Sequence, residues 1–130
     1  MYDAEGLTIL TERECRELLA SVPLGRIVYT DRALPAVQPV NFVMSDGEVM
    51  ILTSADSKLA TATQNTVVAF EIDHFNHEAT AGWSVVIIGH AHLHPKEDHL
   101  AITPELISGR RLPTHPPKEP HNPLPAESPE

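Results

Sequence analysis

The chain has 130 residues, a hydrophobic content of 42% and a formal net charge of −9 with its eight histidines neutral, and it is long enough for one domain with a single core. This acidic balance argues against nucleic acid as a partner, because a negative surface repels phosphate backbones. Cys15 is the one cysteine, so no intrachain disulfide forms. No apolar run approaches the roughly 20 residues of a membrane span, and no signal-like stretch opens the chain. We therefore expect a soluble, cytoplasmic protein without a membrane partner.

The first predicted element is a helix over TERECRELLASV, residues 11–22. Thr11 and Glu14 form a capping-box pattern, in which each side chain reaches the backbone N–H of the other residue. An apolar stripe at three- and four-residue spacing follows, made of Cys15, Leu18, Leu19 and Val22. Pro23 ends the helix, because it disfavours the α conformation of the residue before it.

After Pro23 the sequence changes to short β-branched and aromatic runs. LGRIVYTD and PAVQPVNFVM predict two strands, Asp46–Gly47 predicts a hairpin turn, and EVMILTS predicts the next strand. Pro39 inside the second run predicts a sheet edge or a bulge, because proline cannot donate to a strand ladder. DSKLATATQ predicts a short helix with Asp56 as its cap.

The second half of the chain continues the β pattern. TVVAFEID predicts a strand, residues 74–81 a polar loop, and GWSVVIIGHAHLH a long strand. HLAIT and ELISGRRL predict a last short strand or a strand–turn segment. About six mostly antiparallel strands, an N-terminal helix and one short inserted helix make a mainly β protein. A small Greek-key or split β-barrel is the expected closure, since closure removes exposed edges.

Residues 1–112 form the predicted domain, and residues 113–130 differ from them in composition. This last segment holds seven of the twelve prolines and almost no apolar residues. Such a sequence buries too little surface to offset the entropy lost on ordering. We predict a disordered proline-rich tail.

A candidate phosphate site lies in TSADSKLA, residues 53–60. Thr53 and Ser54 end a predicted strand, and Ser57 and Lys58 begin a helix. A hydroxyl, an ammonium group and free backbone amides at a helix start favour an anion. The alternative is a capped surface helix with a solvated lysine, and spacing alone favours that alternative.

Four blocks in this order resemble the pyridoxamine 5'-phosphate oxidase-like family of FMN-binding, flavin-reductase-like split barrels. The blocks are LGRIVYTDRALPAVQPVNFVM, GEVMILTSADSKLA, VVAFEID and GWSVVIIGHA. The resemblance runs from about Leu7 to Leu112 and rests on the combination of blocks, since no single motif is diagnostic. It implies a split barrel of Greek-key type that forms homodimers, with FMN in a groove between the subunits.

The resemblance also implies which residues hold the cofactor phosphate and which come from the other subunit. Ser57 and Lys58 match the family's phosphate-binding serine and basic residue. Trp83 and Ser84 match the position at which the partner subunit covers the flavin.

The remaining implied contacts lie along the isoalloxazine ring. Val40, Asn41 and Phe42 match the strand beside the ring, and Leu52 and Thr53 match the neighbouring strand end. An apolar wall with a few polar groups suits a planar ring. Phe42 alternatively fills the barrel core, and Trp83 alternatively packs in a subunit interface.

The family assignment implies an FMN-dependent oxidoreductase in which the flavin carries the chemistry and no catalytic side chain is needed. The partner molecules are then a small redox substrate or a reduced nicotinamide donor. Residues 95–98 alone join the last two predicted strands, where family members usually carry a longer segment. A non-catalytic binder of flavin, deazaflavin or haem is therefore the alternative. Genuine pyridoxamine 5'-phosphate oxidase activity is not expected, because the chain lacks the basic residues for a second phosphate, with only Arg110 and Arg111 clustered.

Three histidines at alternate positions of the long strand, His90, His92 and His94, share one face of it. Neighbours on that face stand roughly 6.5–7 Å apart, so two of them can bracket one metal ion and three in a row fit one ion poorly. Supporting ligands would come from Glu97, Asp98 or His99. An exposed polar face without a metal is the favoured interpretation, and a metal-binding dimer is the alternative.

Overall fold

The computed structural model describes residues 1–94 and 98–112; the tail predicted at 113–130 lies outside the described residues. Within these ranges the elements are β1 (Thr8–Ile9), α1 (Glu12–Leu19), β2 (Leu24–Asp31), β3 (Leu34–Asn41), β4 (Val43–Ser45), β5 (Glu48–Leu52), α2 (Lys58–Thr63), β6 (Val67–Phe75), β7 (Gly82–His94) and β8 (His99–Leu112). None of the helices in these ranges has the length and apolarity that crossing a membrane requires.

Helix α1 begins as the sequence predicts. The Thr11 hydroxyl accepts from the Glu14 backbone N–H at 3.1 Å, and the Glu14 carboxylate accepts from the Thr11 N–H at 2.8 Å. Cys15 and Leu19 are buried on the packed face. Gly109 of β8 makes room for this face, since a Cβ there would lie 2.7 Å from the Cys15 sulfur. Burial raises the pKa of the Cys15 thiol, as expected of a small packing residue.

One curled sheet forms the body of the protein. Its strand order is β3-β2-β6-β7-β8-β5-β4, with β1 added along β8. Every neighbouring pair is antiparallel. The prediction of a mainly β split barrel is confirmed. β3 is the terminal strand of the order, so the prediction that Pro39 marks a sheet edge is also confirmed.

The second predicted strand breaks at Phe42, which separates β3 from β4. The Phe42 N–H donates to the carbonyl of Pro23 at 3.2 Å instead of entering a ladder. Its ring packs edge-on against Phe70, with centroids 4.8 Å apart. The break, together with the two-residue strand β1, accounts for eight strands in the described ranges rather than about six.

The C-terminal segment is one continuous strand, and the expected short strand or strand–turn was wrong. The register with β7 shifts between Ile88 and Gly89, so that Gly89 lies opposite Pro104 and Ile88 opposite Leu106. The resulting bulge takes up Glu105 and accommodates the proline without ending the strand. Gly89 is required there, because a Cβ would lie 2.0 Å from the carbonyl oxygen of Thr103.

Two smaller expectations also need correction. Ser57, not Asp56, caps α2, and its hydroxyl accepts from the Ala60 N–H at 3.0 Å. Asp56 instead accepts from the Ser54 hydroxyl at 2.8 Å. His74, expected in a loop, lies in β6 and stacks on Trp83 with ring centroids 6.5 Å apart.

The two faces of the sheet differ. The inner face carries the core, which includes Ile27, Phe70, Val85 and Ile87, all fully buried. The outer face carries a line of apolar residues that the pairing register places side by side across five strands. We call it the apolar row: Val37, Val28, Ala69, Ile88 and Leu106.

Candidate functional site

The two ends of the curled sheet meet at a groove. β3 and β5 lie towards opposite ends of the hydrogen-bonded order, yet residues of both line one depression of about 260 Å³. We call it the seam groove, and its lining is Gln38, Val40, Asn41, Ile51, Leu52, Thr53 and Leu59. Four of the nine residues expected to hold a cofactor are therefore brought together here, from two sequence blocks.

The seam groove has an apolar base and a polar end. Val40, Ile51 and Leu59 are buried, whereas the Leu52 side chain is 76% exposed at the rim. The Asn41 side-chain amide donates to the Pro23 carbonyl at 3.2 Å, which satisfies the polar group that its apolar strand leaves without a partner. Apolar walls with a few polar groups are typical of small-molecule and cofactor sites.

Hydrogen bonds connect the polar end of the groove to the start of α2. The Thr53 hydroxyl donates to the Ser57 hydroxyl oxygen at 2.7 Å, and the Thr53 N–H donates to the Asp98 carbonyl at 2.9 Å. Ser57 also caps α2, so both hydroxyls are held in place by the fold.

Lys58 is the cation nearest to this end in sequence. Its Nζ lies 3.6 Å from a carboxylate oxygen of Asp31, and its side chain is 76% exposed. An ion pair this exposed contributes little stability, so the ammonium group can readily turn to another anion. Sequence reasoning missed Asp31, because the end of β2 reaches α2 only through the tertiary fold.

Comparison with known proteins supplies the family. A family model described as pyridoxamine 5'-phosphate oxidase matches residues 11–127. The chain belongs to the pyridoxamine 5'-phosphate oxidase-like family. Among its relatives, the uncharacterised protein Rv0080 of Mycobacterium tuberculosis is 35% identical over 133 residues, covering 84% of this chain and 88% of that protein.

Solved structures of other proteins show the same architecture. A structure described as the FAD-binding protein from Mycobacterium smegmatis has a TM-score of 0.73 and 37% identity, covering 82% of this chain and 99% of that one. The FAD and haem binding protein from the same organism has a TM-score of 0.66 at 16% identity, covering 84% and 74%, a likeness of fold alone.

Among the other residues that the oxidase-like family pattern implies, Ser57 reaches the seam groove through its hydrogen bond to Thr53, whereas Phe42, Trp83 and Ser84 are not part of its lining. Phe42 is 6% exposed with its ring packed on Phe70, and it lines a neighbouring depression of about 250 Å³ that shares Asn41 and Leu52 with the seam groove. Trp83 and Ser84 open β7, opposite Arg111 and Arg110 of β8. In the family pattern these two positions cover the flavin of the other subunit. Their absence from the seam-groove lining of their own chain is compatible with that role.

Arg110, one of the clustered pair of arginines, forms an ion pair with the N-terminal segment. The Nε of Arg110 donates to a carboxylate oxygen of Asp3 at 2.8 Å. Asp3 also accepts from the N–H groups of Glu5 and Leu7, and these backbone bonds together with Arg110 lower its pKa. Arg110 therefore holds the N-terminal turn against β8.

A charged cluster lies on the outer face beside the apolar row. Arg26 forms ion pairs with Glu71 at 3.0 Å and with Asp73 at 2.9 Å. Burial and the neighbouring Asp73 raise the pKa of Glu71 to about 7, although Arg26 opposes the shift.

The three histidines of β7 do not act as one group. His90 pairs with Glu105, the extra residue of the bulge. His92 Nε2 lies 3.7 Å from a carboxylate oxygen of Glu48, and the His92 and His94 rings are 5.2 Å apart. Glu97 lies outside the described residues. The sequence analysis missed Glu48, which joins the histidines through the pairing of β5 with β8.

Proposed function

We propose that the protein binds a flavin nucleotide in the seam groove and acts as an FMN-dependent oxidoreductase, with the flavin at a homodimer interface. The observation that carries the proposal is the convergence of Val40, Asn41, Leu52 and Thr53 on one groove between β3 and β5. Family membership supports a flavin, because residues implied by the family pattern form the groove.

The groove residues bind and orient the ring. Val40 and Ile51 offer a buried apolar base, and Leu52 at the rim is exposed enough to cover a ring edge. A bound flavin supplies electron or hydride transfer, and the protein supplies position and the exclusion of water. This division of roles needs no catalytic side chain.

Lys58 is the proposed partner of the cofactor phosphate. Its ammonium group is exposed, and among the described residues it pairs with Asp31 across 3.6 Å. Phosphate binding then exchanges a weak carboxylate contact for a charge-assisted bond to a more highly charged anion. Ser57 and Thr53, already joined at 2.7 Å, stand beside it.

A second copy of the chain is the proposed partner. A site for a drug-sized ligand usually has about 300–1,000 Å³, so the 260 Å³ of the seam groove provides part of a site. The apolar row supports the same conclusion, since Val37 and Leu106 at its two ends are 63% and 67% exposed. Contiguous exposed apolar surface of this kind is typical of protein interfaces.

The test is titration of the purified full chain with FMN and, in parallel, with FAD, followed by flavin fluorescence. We expect saturation at one flavin per chain, with FMN bound more tightly. Tighter binding of FAD than of FMN would leave the seam groove as the proposed site and make FAD the cofactor, as in the FAD-binding protein of M. smegmatis. Anaerobic bleaching of the bound flavin by NADH or NADPH tests turnover.

Lys58→Ala tests the phosphate assignment. Loss of a charge-assisted contact should weaken flavin binding by about tenfold or more. Arg13→Ala is the matched control, because Arg13 is an 88% exposed cation on α1 whose partner within residues 1–94 and 98–112 is Glu17. Equal affinities for wild type and Lys58→Ala would show that the phosphate lies elsewhere.

A further inference from the structure

We propose that Glu48, His92 and His94 form a binding site for a divalent transition-metal ion of the zinc type on the outer face of the barrel. One ligand atom from each of these side chains lies within 4.8 Å of the other two. The site is separate from the seam groove, whose lining includes none of the three.

The strand register explains how side chains from two non-adjacent strands meet. β8 runs between β7 and β5, and Ala101 of β8 lies opposite His92 on one side and Met50 on the other. The two outer strands are about 9.6 Å apart, at about 4.8 Å per pairing. Glu48 lies on the same face as Met50 and two residues before it, and its carboxylate comes within 3.7 Å of the His92 Nε2 across the small side chain of β8 at this position.

The distances allow one tetrahedral ion, with the side chains drawing together by up to about 1.4 Å from the 4.8 Å within which their ligand atoms lie. Zinc bonds of about 2.0–2.2 Å to nitrogen and oxygen place tetrahedral ligand atoms about 3.4 Å apart. The His92 Nε2 and the Glu48 oxygen, at 3.7 Å, are within a few tenths of an ångström of that value. The His94 ring stands 5.2 Å from that of His92 at an interplanar angle of 66°, so the two rings approach from different directions.

The surroundings distinguish this trio from a generally histidine-rich surface. Thr103 donates its hydroxyl to the Glu48 carboxylate at 2.6 Å, which orients the carboxylate as outer ligands do in metal sites. His90, the third histidine of the face, is turned to Glu105. His92 and Glu48 are 36% and 28% exposed, so an ion reaches them while the sheet shields one side.

Two imidazoles and one carboxylate are a ligand set that suits zinc, with a fourth position left to water. An ion held there joins β5 to β7 across β8. Because the ligands come from separate strands, binding favours the folded chain and raises its thermal stability.

The experiment uses the full chain without an affinity tag, stripped of metal. Zn²⁺ binding is measured by competition with a chromogenic chelator, and Co²⁺ binding by its visible absorbance. We expect one ion per chain, a tetrahedral Co²⁺ spectrum and a higher melting temperature with Zn²⁺. Glu48→Gln, His92→Ala and His94→Ala should each weaken binding by about tenfold or more, judging from the 10- to 100-fold effects of outer ligands.

Two control variants make the test specific. His90→Ala keeps the trio intact, and a His115→Ala/His121→Ala variant removes the histidines of the C-terminal segment; both should bind as wild type does. Circular dichroism of the metal-free variants confirms that each is folded. Absence of stoichiometric binding, full affinity in Glu48→Gln, or a loss in His90→Ala equal to that in His92→Ala would each overturn the proposal. Flavin titration of the same variants should be unchanged, which separates this site from the proposed cofactor groove.

Discussion

Replacing Glu71 with glutamine should change how stability depends on pH. Burial and the nearby Asp73 raise the pKa of Glu71 from its ordinary value of 4.5 to about 7. The folded chain therefore holds a proton on Glu71 that the unfolded chain has released between these two values. Stability contributed by the protonated carboxyl is present below pH 4.5 and is lost as pH rises through 7.

The magnitude follows from the two pKa values. Each pKa unit of difference corresponds to about 1.4 kcal/mol. Between pH 5 and pH 8 the free energy of unfolding of the wild type should therefore fall by about 2–3 kcal/mol through this group alone. Glu71→Gln has no such proton to lose. The free energy of unfolding of the variant, relative to wild type, should rise by that amount over the same range.

Urea unfolding of both proteins at half-unit pH steps measures this difference. The two proteins share every other ionisable group, so contributions from those groups cancel in the comparison. Glu17→Gln is the matched control, an exposed carboxylate whose partner is Arg13 at 3.4 Å. A difference between Glu71→Gln and wild type that stays constant from pH 5 to pH 8 would refute the assigned pKa and its cause.

Two further predictions test the proposed dimer and the phosphate site. Leu106→Asp places a charge at the end of the apolar row and should convert the dimer to monomers, as measured by light scattering. Leu34→Asp is the control and should leave the dimer intact, because Leu34 is also 67% exposed but does not belong to the row. A monomeric wild type would remove the basis for the proposed dimer. Asp31→Asn removes the carboxylate that lies 3.6 Å from Lys58. An exposed ion pair contributes about 0.5–1 kcal/mol, so the fluorescence titration should show flavin binding that is a few-fold tighter. Weaker binding in Asp31→Asn would show that the carboxylate helps to position the ligand.

Features that depend on neighbouring residues could be predicted from the sequence alone. The capping box of Thr11 and Glu14 forms as predicted, because its two hydrogen bonds span three residues. The Asp46–Gly47 turn joins β4 to β5, with both residues at positive φ. The alternation along residues 82–94 predicts one long strand, and β7 occupies that whole range.

The family pattern extended these local predictions to the site. It selected Val40, Asn41, Phe42, Leu52 and Thr53 along the ring, and the structure places four of these five, all but Phe42, on one groove. Gln38, which shares that groove, had a signal in the sequence, since it lies two residues before Val40 and strand positions two apart share a face.

Contacts between strands distant in sequence were decided only by the tertiary structure. Asp31 reaches Lys58, and Glu48 reaches His92, across separations of 27 and 44 residues that follow from the numbering. The bulge that keeps β8 continuous through Pro104 depends on Gly89 in the opposing strand. Strand pairing sets such contacts through the register of the whole sheet, and a shift of one residue would send every side chain to the other face. Local patterns therefore determine the elements, while the closure of the sheet determines which charges and ligands meet.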